Sequence, residues 1–391
     1  MPGKYLNPLF IFAAQFEFMQ KTGILGGGQL GRMLLQQAAN YPVETFVMEN
    51  DPKCPSAHLC HRFIKGDIRN FDDVYMFGKQ LDAITIEIES VNVDALERLE
   101  AEGVKVYPKP SALRIIKNKI LQKGFYKENE IPTAKYITLQ DRAALELQSG
   151  LLPGVQKLAE GGYDGRGVQV IKTAADLVLG FDEPSILEEL VNIHKEISVI
   201  IGINEKGDTA LFPPVEMVFD PGLNLLDYQV CPATLTEKIR WRVEAIALKV
   251  ARSLQSPGLF AVELLVDKEG IVYVNETAPR VHNSGHHTIE ANYSSQYDIL
   301  WRILLGYPMG NTETISNSAL VNLVGEKDCN GNARYDGLNE VLGMQNAYVH
   351  LYGKKQTKPG RKMGHVTLLG NDTTDLIRKA QLIKSKLKVR T

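Results

Sequence analysis

The sequence predicts a mixed α/β and α+β protein in three consecutive parts. An open, mostly parallel α/β part is followed by a central α+β part and a small, mostly-β C-terminal part. Three observations predict this. The first hundred residues alternate short apolar, partly β-branched runs with segments of helical period. From about residue 154 to 280 β-type runs follow one another around one long helical segment. Past about 315 β-type runs dominate until a last helix. At 391 residues the chain exceeds one ordinary core. The expected boundaries are an N-terminal extension over 1–20, a first domain over 21–110, a central domain over 111–312 with a mobile lid at about 120–190, and a C-terminal domain over 313–391.

In the first domain "TGIL" and "TFVMEND" read as strands around "QLGRMLLQQAAN", whose Leu30, Met33, Leu34 and Ala38 keep helical spacing. "RFIKGDI", "AITIEI" and "VKVYP" are further strands. "FDDVYMFGKQL" and "VDALERLEAEG" are helices, the second closed by Gly103. The opening "GILGGGQLG" holds a GxGxxG at Gly26, Gly28 and Gly31, so this domain reads as Rossmann-like. "SALRIIKNKILQKGFYKENE" reads as one basic amphipathic helix with Ser111 at its N-cap. In the central part "VQKL", "VQVI", "SILEELV", "EISVIIGIN", "ALFPPVEMVF", "FAVELLVD" and "IVYVNE" are strands, and "TEKIRWRVEAIALKVARSLQ" and "QYDILWRILLG" are helices. "ALVNLVG", "AYVHLYG" and "MGHVTLLG" are the C-terminal strands, and "DTTDLIRKAQLIKSKL" is the last helix.

A net charge of -2 gives no bulk field for nucleic acid. No apolar run approaches the roughly 20 residues of a membrane helix. The apolar run in "NPLFIFAAQFEFMQ" is short and broken by Gln15 and Glu17, so it reads as an extension or extra strand and not as a targeting segment. Cys54, Cys60, Cys231 and Cys329 are few and scattered, as suits a reducing cytoplasm. "CPSAHLCH" offers Cys54, His58, Cys60 and His61, but its spacing matches no zinc motif and a second ligand pair is missing.

Four segments carry chemistry. "VQKLAEGGYDGRGVQVI" sets Gly161, Gly162, Gly165 and Gly167 among Tyr163, Asp164 and Arg166, with Lys157 on the leading strand. Such a loop suits a polyphosphate as well as a bare hairpin turn. "GLFAVELLVDKEGIVYVNETAP" reads as a hairpin that sets Val274 opposite Glu263 and Glu276 one diagonal step away on the same face. Two carboxylates so held suit a divalent cation completed by phosphates. "NETAPRVHNSGHH" places Arg280, His282, Asn283, Ser284 and His286 in a loop at the mouth of that site. "LYGKKQTKPGRKMGHV" gathers Lys354, Lys355, Lys358, Arg361 and Lys362, which can hold a phosphomonoester or simply face water.

"GGYDGRGVQV", "VNETAPRVHNSGHH" and "KPGRKMGHV" together resemble the ATP-grasp enzymes, and within them the 5-(carboxyamino)imidazole ribonucleotide synthase family, over about residues 22–370. The resemblance implies a pre-ATP-grasp domain, an ATP-grasp domain and a small C-terminal domain. It implies a cytoplasmic homodimeric ligase of purine biosynthesis. Such a ligase uses ATP, Mg²⁺ and bicarbonate to carboxylate the 5-amino group of 5-aminoimidazole ribonucleotide through carboxyphosphate. It places Arg114 and Lys157 on the ATP phosphates under a loop of Gly162, Tyr163, Asp164, Gly165, Arg166, Gly167 and Val168. Glu188, Glu189, Leu190 and Val191 form the hinge at the adenine, Glu196 holds the ribose, and Asn275 lies beside the nucleotide. Glu263 and Glu276 hold Mg²⁺. Asp164, Arg166, Arg280, His282 and Asn283 surround carboxyphosphate and the imidazole, with Tyr163 and Ser284 also at the acceptor. Lys354 and Arg361 take its 5′-phosphate, and Gln29 and Leu30 touch it with Glu87 opposite. Phe219 stands where the family usually has a histidine near the nucleotide.

Two other readings use fewer of these residues. A formate-dependent glycinamide ribonucleotide transformylase would share the carboxylate pair and the glycine hairpin. An NAD-dependent oxidoreductase would use GxGxxG with Glu49, 18 residues past Gly31, on the ribose. It would leave the carboxylate pair and the basic turn without a role.

Overall fold

The computed structural model describes residues 19–162, 167–220 and 225–391. The first part is a parallel five-stranded sheet in the order β3-β2-β1-β4-β5. Its elements are β1 (Gln20–Leu25), α1 (Gln29–Ala38), β2 (Val43–Glu49), β3 (Arg62–Lys65), α2 (Phe71–Gly78), β4 (Ala83–Ile86), α3 (Val93–Ala101) and β5 (Lys105–Tyr107). β1 carries four consecutive buried residues, as a strand covered on both faces requires. The strand order reverses between β1 and β4, so the crevice of this sheet opens beyond Leu25 and Ile86.

The expected single helix over 111–130 is two, α4 (Pro110–Lys117) and α5 (Lys119–Glu128). Asn118 is extended between them, and its side chain caps α5 by accepting from the amides of Ile120 and Leu121. A residue that satisfies two orphan amides starts a new helix better than it continues an old one. Ser111 is not a cap: Lys109 holds that position, with Pro110 in the first turn.

A small antiparallel sheet follows, ordered β6-β9-β7-β8, from β6 (Tyr136–Leu139), β7 (Gly154–Leu158), β8 (Val168–Ile171) and β9 (Ser185–Glu189), with the short α6 (Arg142–Glu146) beside it. Next come β10 (Ile193–Ile203), β11 (Thr209–Leu211), β12 (Val215–Asp220), β13 (Leu225–Cys231), α7 (Glu237–Ser253), β14 (Gly258–Asp267), β15 (Val272–Ala278), α8 (Thr288–Ala291) and α9 (Gln296–Leu305). The C-terminal part holds β16 (Asn317–Val324), β17 (Gly331–Asn332), β18 (Arg334–Asp336), α10 (Leu338–Leu342), β19 (Ala347–Leu351), β20 (Gln356–Thr357), β21 (Lys362–Gly370), α11 (Thr373–Lys386) and β22 (Lys388–Arg390). The central and C-terminal strands share one large antiparallel sheet, β15-β14-β10-β12-β13-β16-β21-β19, joined where β13 pairs with β16.

Pleating explains how the large sheet makes a site. Ile197, Val199, Val262 and Leu264 point to one face and pack on Val243, Ala247 and Val250 of α7. On the other face Ile200, Leu259 and Ala261 pack against α9 and the first domain. Trp301 of α9 is fully buried there and donates its indole N–H to the Leu34 carbonyl of α1 at 2.7 Å. Further along that face the side chains turn polar: Glu196, Ser198, Glu263 and Glu276.

Candidate functional site

Glu263 and Glu276 are direct register partners, not diagonal neighbours. The register shifts between Glu263 and Leu264: Leu264 faces Val274, so Asn275 is the extra residue of a bulge. A bulge re-aims side chains at a site, and this one sets the two carboxylates side by side. Burial and the charges of Glu276 and Glu196 push the Glu263 carboxyl up. Lys119, whose ammonium lies 2.5 Å from Glu276, holds that carboxyl down against its partial desolvation. His282 Nε2 lies 3.5 Å from Glu263.

The lysines around this pair come from two elements. Lys119 and Lys123 sit one turn apart on α5, on the face of the fully buried Tyr126, whose hydroxyl bonds to Thr277. Lys157 of β7 donates to Asn275 Oδ1 at 2.8 Å and pairs with Glu188 at 2.7 Å. Lys123 pairs with the same Glu188 at 2.5 Å. Burial lowers Lys123 to about 8 against the pull of Glu188. Burial alone would raise Glu188, but Lys157 and Lys123 bring it below the ordinary range. These ammonium groups neutralise the carboxylates in the absence of anything else, and they are the groups a triphosphate would recruit.

The other nucleotide residues fall around this centre. Gly167 closes the β7–β8 hairpin, its carbonyl accepting from Leu158 N–H, with φ +73°, and Val168 pairs with Lys157. Gly162 is exposed. Tyr163, Asp164, Gly165 and Arg166 lie outside the described residues. Glu189 and Leu190 are exposed and Val191 half-buried, in the link from β9 to β10. Glu196 is raised by burial. Phe219 shares its face, because Met217 is the register partner of Glu196 and Phe219 lies two residues on.

Arg114, expected at the phosphates, has its guanidinium forked between Asp94 and Glu97 of α3. The cations that the structure brings to the carboxylate centre are Lys119 and Lys123, which the sequence reading missed. Their signal was positional: lysines at i and i+4 in line with a buried tyrosine at i+7 are not on a solvated face.

The acceptor half is built on the glycine turn. Gly26 has φ +103°, and a Cβ at Gly28 would lie 2.3 Å from Glu87 Oε1, so only glycine admits that carboxylate. Glu87 accepts from Leu30 N–H at 3.2 Å, which caps α1 with the protein's own acid where a dinucleotide would put its pyrophosphate. Glu49 is engaged in the same way, its carboxylate accepting from Gly27 N–H at 3.1 Å and from Asn50 N–H at 2.7 Å. Lys354 donates to Gln29 Oε1 at 2.7 Å, and Arg361 donates to the Gln356 carbonyl at 2.9 Å. Arg280 reaches across to Glu89 at 2.8 Å. Ser284 is fully buried and bonds to Ser198 at 2.7 Å and to His282 Nδ1 at 2.9 Å, fixing the imidazole toward Glu263. Asn283 Oδ1 is buried and has no protein partner among the described residues, an acceptor left over for something else. His286 is not at the mouth: it is 1% exposed.

In "CPSAHLCH", His61 Nδ1 is used by Thr45, and no metal-holding group of three or more such residues occurs among the described residues.

Burial raises Glu87 from 4.5 to about 7, against the pull of Arg280. The folded state therefore holds this proton more tightly than the unfolded one, and the stability it brings is complete below about pH 4.5 and fades as pH rises to about 7. Glu87→Gln is expected to remove this slope. Denaturant titrations should show wild type losing up to ~3 kcal/mol relative to the variant across the window, and parallel stability curves would refute it.

Residues 19–117 match the ribonucleotide synthetase preATP-grasp domain family. Residues 124–297 match the ATP-grasp domain family, and 318–379 the phosphoribosylaminoimidazole carboxylase C-terminal domain family. The chain is similar to N5-carboxyaminoimidazole ribonucleotide synthase of Brucella melitensis, 36% identical over 88% of this chain and 95% of that protein. It is 33% identical to the chloroplastic phosphoribosylaminoimidazole carboxylase of Vigna aconitifolia, of whose longer chain it spans 65%. The crystal structure of the Thermotoga maritima synthetase superposes with a TM-score of 0.88, at 36% identity over 95% of this chain and all of that one. The Aspergillus clavatus synthase in complex with ADP and 5-aminoimidazole ribonucleotide gives 0.85 at 29% identity, over 94% of this chain and 98% of that one.

Proposed function

The chain belongs to the N5-carboxyaminoimidazole ribonucleotide synthase family of ATP-grasp ligases, and we propose on that premise how its own residues carry out ATP-dependent carboxylation of the 5-amino group of 5-aminoimidazole ribonucleotide. The observation that carries the reading is the opposed Glu263–Glu276 pair ringed by lysines, together with a series of polar contacts toward the glycine turn. The series runs from Lys119, Lys123 and Lys157 at the Glu263–Glu276 pair, through His282 and Asn283, to Arg280, Glu87 and the Gln29–Lys354 contact.

Mg²⁺ fits the donor set. Two opposed, partly exposed carboxylates, one of them pushed toward protonation, call for a hard cation that solvent can deliver, with Lys119 beside Glu276. When bound, the ion would be held by Glu263 and Glu276 and would neutralise charge on the terminal phosphates.

Lys119 and Lys157 exchange their carboxylate and amide partners for phosphate oxygens and hold the triphosphate in line. A bicarbonate oxygen attacks the γ-phosphorus as the bond to the β-phosphate oxygen breaks, which gives carboxyphosphate and ADP. The exocyclic nitrogen of the acceptor then forms its bond to the carboxyl carbon. Inorganic phosphate leaves, and the nitrogen loses one proton. Arg280 and His282 flank this transfer, and Asn283 Oδ1 accepts an N–H of the reacting amine, which orients its lone pair. Lys354 with Arg361 holds the 5′-phosphate. Tyr163, Asp164 and Arg166 lie outside the described residues and are assigned to the reactants by the family resemblance alone. The chain works as a cytoplasmic homodimer.

The test is ADP release with ATP, Mg²⁺ and bicarbonate. The 5-aminoimidazole ribonucleotide is expected to stimulate it by at least about tenfold. No stimulation would sink the acceptor assignment, and stimulation by glycinamide ribonucleotide with formate would replace it by the transformylase reading.

A further inference from the structure

Behind Lys354 lies a buried polar cluster that the reaction does not use. His350 of β19 and His365 of β21 are register partners, their rings stacked at 4.4 Å and 10°. The His365 ring continues to His286 at 4.9 Å. His286 and His365 are each at most 1% exposed, and burial and their neighbours' charges keep both well below the ordinary imidazole range, so the rings are neutral. Neutral imidazoles offer one donor and one acceptor each and can pass a fixed geometry along a chain of bonds.

The chain of contacts closes on itself. Lys354 bonds to Gln29 at the start of α1. Its ammonium also lies 5.6 Å from the Tyr352 ring centroid. The Tyr352 hydroxyl bonds to His365 Nδ1 at 2.9 Å. The His365 ring lies tilted by 31° against His286, and His286 Nδ1 bonds to the Tyr297 hydroxyl at 2.8 Å. That hydroxyl contacts Met33 Sδ at 3.4 Å, and Met33 lies one turn along α1 from Gln29. The ring thus runs from the first domain through the central domain to the C-terminal strands and back. Two links are ring contacts rather than hydrogen bonds, and His365 Nε2 has no hydrogen-bond partner among the described residues, so this ring is held by packing as well as by its hydrogen bonds, and each member restricts the next.

We propose that this closed ring positions Lys354 against Gln29, with Tyr352, His365 and His286 as positioning residues for the acceptor nucleotide. The proposal rests on the acceptor reading above. The Lys362 carbonyl also accepts from this ammonium at 2.8 Å, so a loss in the ring loosens its seat without emptying it, while the lysines at the Glu263–Glu276 centre keep theirs.

Tyr352→Phe and, separately, His286→Leu test it by two measurements. In the first, KM for 5-aminoimidazole ribonucleotide is expected to rise about fivefold in each variant, while KM for ATP stays within about twofold. Equal rises in both constants, or none in either, would overturn the ring. In the second, made without any substrate, amide exchange is followed in peptides spanning 28–36 and 350–356. Both peptides are expected to exchange at least about threefold faster in His286→Leu, although the substitution lies in neither. An unchanged 28–36 peptide in both variants would also overturn it. Tyr352→Phe removes one oxygen atom and keeps the measurements available if His286→Leu folds poorly. Wild type that is unstimulated by the nucleotide would refute the acceptor reading alone, because the exchange measurement still decides the ring.

Discussion

Glu276→Gln is expected to lower ATP turnover by at least about 100-fold while the fold persists. Glutamine keeps the shape and one acceptor oxygen but removes the charge that faces Glu263 across β14 and β15. With that charge gone, Glu263 no longer meets repulsion from its register partner, and Lys119 loses the carboxylate 2.5 Å away. The carboxylate centre then holds a divalent cation weakly. Steady-state ADP release across a Mg²⁺ series checks this, with circular dichroism as the control for folding. Turnover within about tenfold of wild type at saturating Mg²⁺ would refute the ligand role.

Glu188→Gln is expected to cost ~3–5 kcal/mol of stability, because it removes the carboxylate paired directly with both buried ammonium groups, Lys123 and Lys157. Both ammonium groups lie within 2.7 Å of that single carboxylate, whose side chain is 6% exposed. The loss should be partly recovered by ATP, whose phosphates supply the missing negative charge. Thermal midpoints with and without nucleotide measure both effects. A variant as stable as wild type would show that Glu188 is not the counter-ion of the pair. A variant that ATP rescues no better than wild type would place the lysines away from the phosphates.

The two ends of the reading were not equally legible in the sequence. The β1–Gly26 to Gly31–α1 turn and its parallel sheet follow from a local pattern, and short-range rules suffice for such patterns. The Glu263–Glu276 pair was found because alternation along a hairpin is also local. Its register was misplaced because a bulge at Asn275 has no strong sequence mark. Lys119 and Lys123 escaped because a lysine on a helix is usually solvated; only the contact of α5 with Thr277 and Glu188 shows otherwise. Arg114 took its phosphate role from the family resemblance, and the ion pairs it makes here with Asp94 and Glu97, 20 and 17 positions earlier, are long-range contacts that no local pattern marks. His286 stood in a polar string and so read as exposed. Its burial depends on His365, which lies far along the chain and reaches it only through the pairing of β16 with β21. The Glu87 cap on α1 is likewise long-range, and it takes the helix-start amide that a dinucleotide fingerprint offers to a pyrophosphate.

The junction of β13 with β16 decides what kind of unit the C-terminal segment is. A chain cut near residue 312 would not shed a separable module. It would strip β13 of its partner over Tyr228–Cys231 and leave a raw sheet margin, with Val230 and Cys231 newly open to water. Such a margin offers its amides and carbonyls to any passing strand, most readily to the same margin on another molecule. Shortened forms are therefore expected to clump instead of working at reduced rate, so the C-terminal strands keep molecules apart as well as extending the sheet.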